Sequence, residues 1–349
     1  MEKKQNPFTI IFGVQPSSFI PRMQDFSEII STFEADKPRT YSYLITGVRG
    51  SGKTVMLSHI QNYFSNKESW IVLRLNPDID LFESAVSQLA SALGSSKDLI
   101  TEINVSLAGF GLGVSRRSVS DNETLLRKML GMVKKTNRKV LIAIDEVTNT
   151  NNIKAFAHSY QAFIGELLPV YLLMTSLPEN FSSLSESTNG TFLKRIPKIV
   201  LGRLNDTMIE NEYVDIFNIS HDEATALTKL VRGYPYAYQI LGDLLWENDT
   251  KQINDKILRS FDANLNDCAY RIIWKSLSKV EKNICKAIAN SSDGCVKGIR
   301  DSIGMTSNQF SPYRDSLLES GLVDGSEYGR LSFILPRFSE FVVQISKYE

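Results

Sequence analysis

The stretch ITGVRGSGKTVML, residues 45–57, decides how the rest of the chain is read. Gly47, Gly52, Lys53 and Thr54 satisfy the spacing G-x-x-x-x-G-K-[ST]. YSYLIT before it, residues 41–46, predicts a short buried strand. KTVMLSHIQNYF after it, residues 53–64, carries Val55, Ile60 and Phe64 at helical spacing. A strand that turns through glycines into a helix aims successive backbone N–H groups at one point, where the helix dipole also favours negative charge. On this reading Gly47, Val48, Arg49, Gly50, Ser51 and Gly52, with the helical residues Lys53, Thr54 and Val55, cradle a chain of phosphates. Lys53 would reach the β- and γ-phosphates, and Thr54 would place its hydroxyl on Mg²⁺. The plain alternative, a chance glycine turn before a helix, has the strand–loop–helix context against it.

Working outward, 349 residues exceed what one core usually holds, so two or three domains are expected. Lys and Arg balance Asp and Glu at 39 each, so no global field advertises nucleic acid or a membrane as partner. Cys268, Cys285 and Cys295 are odd in number and lack metal-ligand spacing, which suits buried free thiols in a reducing cytosol. MEKKQNPFTIIFGVQPSSFI at the start meets Gly, Gln, Pro and Ser too soon for a signal-peptide core. No apolar run reaches membrane-spanning length. The expectation is a cytoplasmic protein with no membrane partner.

From Tyr41 to Gly202 short apolar runs alternate with amphipathic stretches. The predicted strands are YSYLIT, WIVLRLN, KVLIAIDE, VYLLMTS and KIVLG. Unbroken apolar runs of this kind suit strands covered on both faces, as in a parallel sheet with helices on each side. DLFESAVSQLASAL and DNETLLRKMLGMVKK have helical periodicity. SLAGFGLGVS, residues 106–115, departs from the alternation. It lacks a full G-x-G-x-x-G before a helix and predicts an extended or hairpin insertion rather than a second phosphate loop.

After Gly202 the strands stop. NDTMIENEYVDIF and SHDEATALTKLV predict helices, the second opened by a capping box of Ser220 and Glu223. Gly233 ends that helix, and Pro235 suits the first turn of the next. From about Asn266 a third unit begins, with Ser278 and Glu281 capping a helix. VKGIRDSIG is a short second helix, and SNQFSPYRDSLLESG is a third, with Phe310, Tyr313, Leu317 and Leu318 on one face. Pro312 moves the expected start of that third helix as late as Ser311. LVDGSEYGRLSFIL predicts two short strands around a turn. Three helices and a β-hairpin make a winged helix.

Asp145 and Glu146 end the run VLIAI, and strand ends are where a parallel sheet presents its ligand-binding edge. With a phosphate loop upstream, one carboxylate can hold the Mg²⁺ shell and the next can orient or deprotonate an attacking water. Without that loop, the pair would simply end a strand in solvent. Thr175 closes VYLLMTS on the same predicted edge, where a hydroxyl could sense the γ-phosphate or end the strand. Ser176 could substitute for it. Arg195, beside Lys194 in TFLKRIPKIVLG, reads from residue type alone as a surface charge.

The order and spacing of these motifs resemble the AAA+ P-loop ATPases, and especially their initiator-like and STAND branch, over nearly the whole chain. The resemblance implies an ATPase core with a five-stranded parallel sheet of order 5-1-4-3-2, a helical lid and a C-terminal winged helix. It implies a base-wrapping segment over 1–40, a core over 41–203, a lid over 204–265 and a winged helix over 266–349. ATP or ADP would sit between core and lid, with Mg²⁺ on Thr54 and Asp145. Glu146 would activate water, Thr175 would sense the γ-phosphate, and Arg195 would complete a neighbouring subunit's site. GYP at 233–235 is similar to the G-x-P lid signature of STAND proteins, which places Tyr234 and Pro235 near the nucleotide. FGVQPSSFIPR, residues 12–22, resembles the segment that wraps the base, with Pro21 where glycine is usual before Arg22. The family's lid arginine falls near Arg232.

Three readings of function follow. The first is a Mg²⁺-dependent ATPase coupling nucleotide state to a winged helix that acts on DNA or a protein partner. Ser307, Asn308, Gln309, Arg314 and Arg330 would meet a groove. Residues 270–349 hold eleven Lys/Arg against nine Asp/Glu, few for phosphate neutralisation. The second is a STAND-like switch in signalling or defence, with little turnover and with self-association or a separate partner. The third, a non-hydrolysing ATP-binding scaffold, is disfavoured by the intact acidic pair.

Overall fold

A computed structural model of the chain describes residues 5–11, 16–93, 119–187 and 191–348. The glycine-rich stretch 106–115 lies outside the described residues. The chain divides into two compact units. One comprises Met23–Thr46 and Lys53–Val200; the other comprises Met1–Arg22, Gly47–Gly52 and Leu201–Glu349.

The first unit contains, in chain order, α1 (Met23–Glu34), β1 (Ser42–Thr46), α2 (Lys53–Ser65), β2 (Trp70–Leu75), α3 (Leu81–Leu93) and α4 (Val119–Lys135). They are followed by β3 (Lys139–Ile144), α5 (Asn151–Gly165), β4 (Val170–Ser176), α6 (Pro178–Ser187), α7 (Thr191–Arg195) and β5 (Lys198–Val200). All strand pairings are parallel, in the order β2-β3-β4-β1-β5. This is the expected order 5-1-4-3-2, counted from the other edge.

The burial of the strands explains their composition. Every residue of β1 and β4 is buried, whereas the edge strands expose Arg74, Lys198 and Val200. At the β2 edge the Gln88 side chain on α3 accepts from the Arg74 N–H at 2.9 Å and donates to the Arg74 carbonyl at 2.8 Å. This occupies edge groups that would otherwise be open to another strand. Leu89, Leu126, Leu130, Ile142, Phe156 and Leu172 belong to one buried cluster. α1 is a helix that the sequence analysis does not predict within the N-terminal segment. Its apolar residues Ile29, Ile30 and Phe33 are nonetheless spaced to bury one face.

The second unit is mostly helical. It runs α8 (Asp206–Phe217), α9 (His221–Val231), α10 (Pro235–Glu247), α11 (Asp255–Leu265), a π-helical turn (Asn266–Tyr270), α12 (Arg271–Ser276) and α13 (Lys279–Asn290). Then come α14 (Val296–Ser302), α15 (Ser307–Glu319), the strands β6 (Val323–Asp324) and β7 (Ser332–Phe333), and α16 (Phe338–Ile345). Both predicted capping boxes, Ser220–Glu223 and Ser278–Glu281, are formed. β6 and β7 pair antiparallel, giving the expected order of three helices and a hairpin.

Two features differ from the sequence expectation. The third helix begins at Ser307, not near Ser311, because Thr306 and Gln309 form a capping box before the proline is reached. Pro312 then lies inside the helix, where its missing N–H leaves the Asn308 carbonyl without a helical donor. Both residues are exposed, so water can serve that carbonyl. The boundary expected at 265/266 falls within a continuous helical run from Asp255 to Ser276. No capping residue interrupts it, and the π turn carries it through. Phe261, Leu265, Tyr270, Trp274, Phe338 and Phe341 accordingly share one core cluster. The Arg337 guanidinium, at a left-handed residue before α16, pairs with both carboxylate oxygens of Asp262 on α11.

The N-terminal segment is part of this core. Phe8 is 4% exposed and stacks on Phe217 at 5.7 Å. A side chain on Gly242 would collide with its ring, so the close approach requires glycine there. The Phe8→Ala substitution is expected to lower unfolding free energy by about 3–5 kcal/mol, the usual cost of truncating a buried phenylalanine. The midpoint and slope of urea unfolding measure it.

Candidate functional site

Within the sheet unit, the chemistry gathers at the C-terminal ends of β3 and β4. The register pairs Ile144 with Met174, so Asp145 emerges next to Thr175. Asp145 receives a hydroxyl on each carboxylate oxygen. Thr54, in the first turn of α2, donates to Oδ2 at 2.9 Å, and the Thr175 hydroxyl donates to Oδ1. The Thr175 oxygen also accepts the Glu146 backbone N–H at 2.8 Å. Glu146 has a left-handed backbone (φ 54°) and an exposed side chain. A non-glycine residue held in that region stores conformational strain, which the Thr175 bond and the Val147 N–H to Thr175 carbonyl bond (2.7 Å) offset. Ser176 donates instead to the Val147 carbonyl at 2.5 Å, so it buttresses the same turn and does not replace Thr175.

These contacts place Thr175 between the strand ends. It is fully buried, with its proton on Asp145 and a lone pair on Glu146 N–H. Its hydroxyl ties the Asp145 carboxylate to the Glu146 backbone. Lys53 and Val55 are half-buried in the first turn of α2. Arg195 is exposed at the end of α7.

Within the other unit lies the loop Gly47–Gly52. Gly47, Gly50 and Gly52 all have φ in the left-handed range, at 144°, 78° and 90°. The Tyr234 hydroxyl donates to the Arg49 carbonyl at 2.6 Å. Arg22 donates to the Ser51 carbonyl at 3.3 Å and to the Gly202 carbonyl at 2.6 Å. A side chain added at Gly321, in the turn between α15 and β6, would meet the Val48 methyl at 3.0 Å. Pro235 occupies the first turn of α10 and is half-buried. Arg232 is exposed, with a left-handed backbone and its carbonyl bonded to Arg203 Nε at 2.6 Å. Sequence reasoning missed the Tyr234, Arg22 and Gly321 contacts with the loop, because no local spacing encodes them.

The residues suit a polyphosphate and a hard cation. The Ser51 hydroxyl is buried without a partner among the described residues, as expected of a donor reserved for a ligand. Thr54 and Asp145 offer neutral and anionic oxygens, the donor set Mg²⁺ takes beside phosphate oxygens. Among the described residues there is no group of three or more His, Cys, Asp or Glu able to hold a metal by itself. No helix among them is long and apolar enough to cross a membrane, and all three cysteines are free thiols.

Comparison with known proteins agrees with this geometry. The model of the KAP family P-loop domain matches residues 19–108, and a domain of unknown function matches residues 267–342. No curated protein matches the sequence. A Walker-type ATPase of Pyrococcus abyssi superposes with a TM-score of 0.64 at 13% identity, covering 94% of this chain and 97% of that one. The ORC2 protein of Aeropyrum pernix, in ADPNP–ADP complexes, gives a TM-score of 0.57 at 12% identity, covering 97% and 98%.

The Thr175→Val substitution keeps the shape but strips Asp145 and the Glu146 N–H of a partner. It is expected to cost about 1–3 kcal/mol in chemical unfolding, with Thr175→Ser costing less because the hydroxyl remains. With the strand order, the glycine loop entering α2 and the acids ending β3 all in place, the chain has a P-loop NTPase fold, shared with the Walker-type ATPase and the ORC2 protein.

Proposed function

We propose that this protein is a Mg²⁺-dependent ATPase whose nucleotide state is passed to the C-terminal region 266–349, read as a winged helix. The observation that carries the proposal is the hydrogen-bonded group of Thr54, Asp145, Thr175 and Glu146 at adjoining strand ends. Lys53 would hold the β- and γ-phosphates, and the N–H groups of Gly47–Val55 would cradle them. Thr54 and Asp145 would hold Mg²⁺. When bound, that ion neutralises charge gathering on the phosphate oxygens. Glu146, exposed and next to the fixed Asp145, is the group to orient and deprotonate the attacking water. Thr175 acts indirectly, by holding that pair in register. Arg195, exposed at the end of α7, suits a finger that completes a second copy's site. Such arginines contribute about 10³–10⁵-fold in rate, so a monomer would turn over slowly. Among relatives in fold, the ORC2 structure holds ADPNP and ADP, which supports an adenine nucleotide here.

Coupling to the C-terminal region is supported by the packing of Val48 in the loop against the core cluster which that region shares with the preceding helices, and by its proximity to Gly321. For the recipient of the signal, the near balance of eleven Lys/Arg against nine Asp/Glu over 270–349 favours a protein partner or self-association over DNA. Arg314 pairs with Asp315 at 3.3 Å and Arg330 with Glu327 at 3.1 Å, so both candidate phosphate contacts already face a carboxylate. The same contacts favour, as second reading, a STAND-like switch with little turnover.

Lys53→Ala is expected to weaken ATP binding by about 10- to 150-fold, the range for charge-assisted hydrogen bonds. Unchanged affinity by titration calorimetry would remove the phosphate role. Glu146→Gln should keep binding and lower the turnover rate by about 10²–10⁴-fold in a phosphate-release assay. Mixing Arg195→Ala with Glu146→Gln should restore part of the activity if the arginine acts between subunits. Stable mixed oligomers with no recovery would assign the two residues to one subunit. Duplex DNA titrated at two salt concentrations, with ATP and with ADP, should show only weak, nucleotide-independent binding. A tight nucleotide-dependent complex would instead make DNA the partner.

A further inference from the structure

We infer that Tyr234 is a positioning residue of the phosphate site, setting the direction in which the Arg49–Gly50 peptide presents its N–H. The inference rests on the reading of residues 47–55 as a phosphate cradle. Tyr234 is 4% exposed, and its hydroxyl donates to the Arg49 carbonyl at 2.6 Å. In a planar trans peptide the carbonyl and the next residue's N–H point in opposite directions. Fixing the Arg49 carbonyl therefore fixes the Gly50 N–H on the other side of the loop. Gly50 has φ 78° and no side chain, so by itself it could turn this peptide over at small cost. A reversed peptide would show an anion a carbonyl oxygen instead of a donor.

The tyrosine is itself held firmly. Pro235 follows it at the start of α10, the Tyr234 N–H bonds to the Val231 carbonyl at 2.9 Å, and the Leu204 N–H bonds to the Gly233 carbonyl at 2.7 Å. Any side chain at Gly50 would come within 2.8 Å of Tyr234 Cζ and 3.0 Å of Tyr236 Cβ, so two aromatic residues close that side of the loop. Burial raises the Tyr234 phenol above its ordinary range, which keeps the proton on the hydroxyl as a donor. The middle residue of GYP thus has a task that its neighbours Gly233 and Pro235, which shape the helix start, do not share.

The test compares ADP affinity, by titration calorimetry with Mg²⁺, for the unaltered protein, Tyr234→Phe and Tyr213→Phe. Tyr213 is a buried tyrosine of the same unit whose hydroxyl donates to the Tyr238 carbonyl at 3.0 Å. Tyr234→Phe should weaken ADP binding by about 3- to 10-fold, the range of one net hydrogen bond. Tyr213→Phe should bind as the unaltered protein does. Thermal unfolding of both variants checks that each is folded at the temperature of the titration. Unchanged ADP affinity in Tyr234→Phe, or an equal loss in both variants, overturns the inference and leaves the phosphate cradle standing. Failure of the unaltered protein to bind ADP overturns the cradle reading itself.

Discussion

The site depends on the Asp145 carboxylate taking one hydroxyl on each oxygen, from two different elements. A carboxylate drawn out of water is stable only when its oxygens are satisfied. That requirement constrains much else. β3 must lie beside β4, so that Thr175 is in reach. The helix after the loop must present Thr54 in its first turn. Glu146 is then pressed into a left-handed conformation, which Thr175 also secures through the backbone N–H. The residue after a strand end would ordinarily be free to relax. Here its direction is set by a buried hydroxyl that its neighbour already needs.

The second constraint is the company kept by the loop. Residues 47–52 belong to the same compact unit as the helical and C-terminal segments. Arg22, Tyr234 and Gly321 come from three distant parts of the chain and meet three successive stretches of that loop. The region matched by the domain of unknown function, 267–342, includes Gly321 and shares its core with the helices before it. Val48 of the loop packs against that shared core.

Local chemistry accounts for what was legible in advance. Strands buried on both faces are written as apolar runs, and all five were read that way. Capping boxes at Ser220 and Ser278 involve residues three apart, so they are visible in the sequence and were found. The Thr306–Gln309 box has the same form, and Pro312 follows three residues after it. A proline inside a helix is tolerated there because Pro312 and the Asn308 carbonyl it leaves unpaired are exposed to water. The helical run through 265/266 is not legible in this way, since a π turn has no residue signature comparable to a cap.

The sequence by itself determined the phosphate loop, the acidic pair, the alternation that yields a parallel sheet and the helical character of the later third. Each depends on contacts between near neighbours or on a periodicity of two or 3.6. Only the tertiary structure decided that Thr175 bonds the Asp145 carboxylate and the Glu146 backbone N–H, that Tyr234 anchors the Arg49 carbonyl, and that Phe8 needs Gly242 beneath it. Those are meetings of residues 29 to 234 positions apart. Such meetings are fixed by how buried faces pack and by which polar atoms must find partners there, and neither is written in the spacing of residues along the chain.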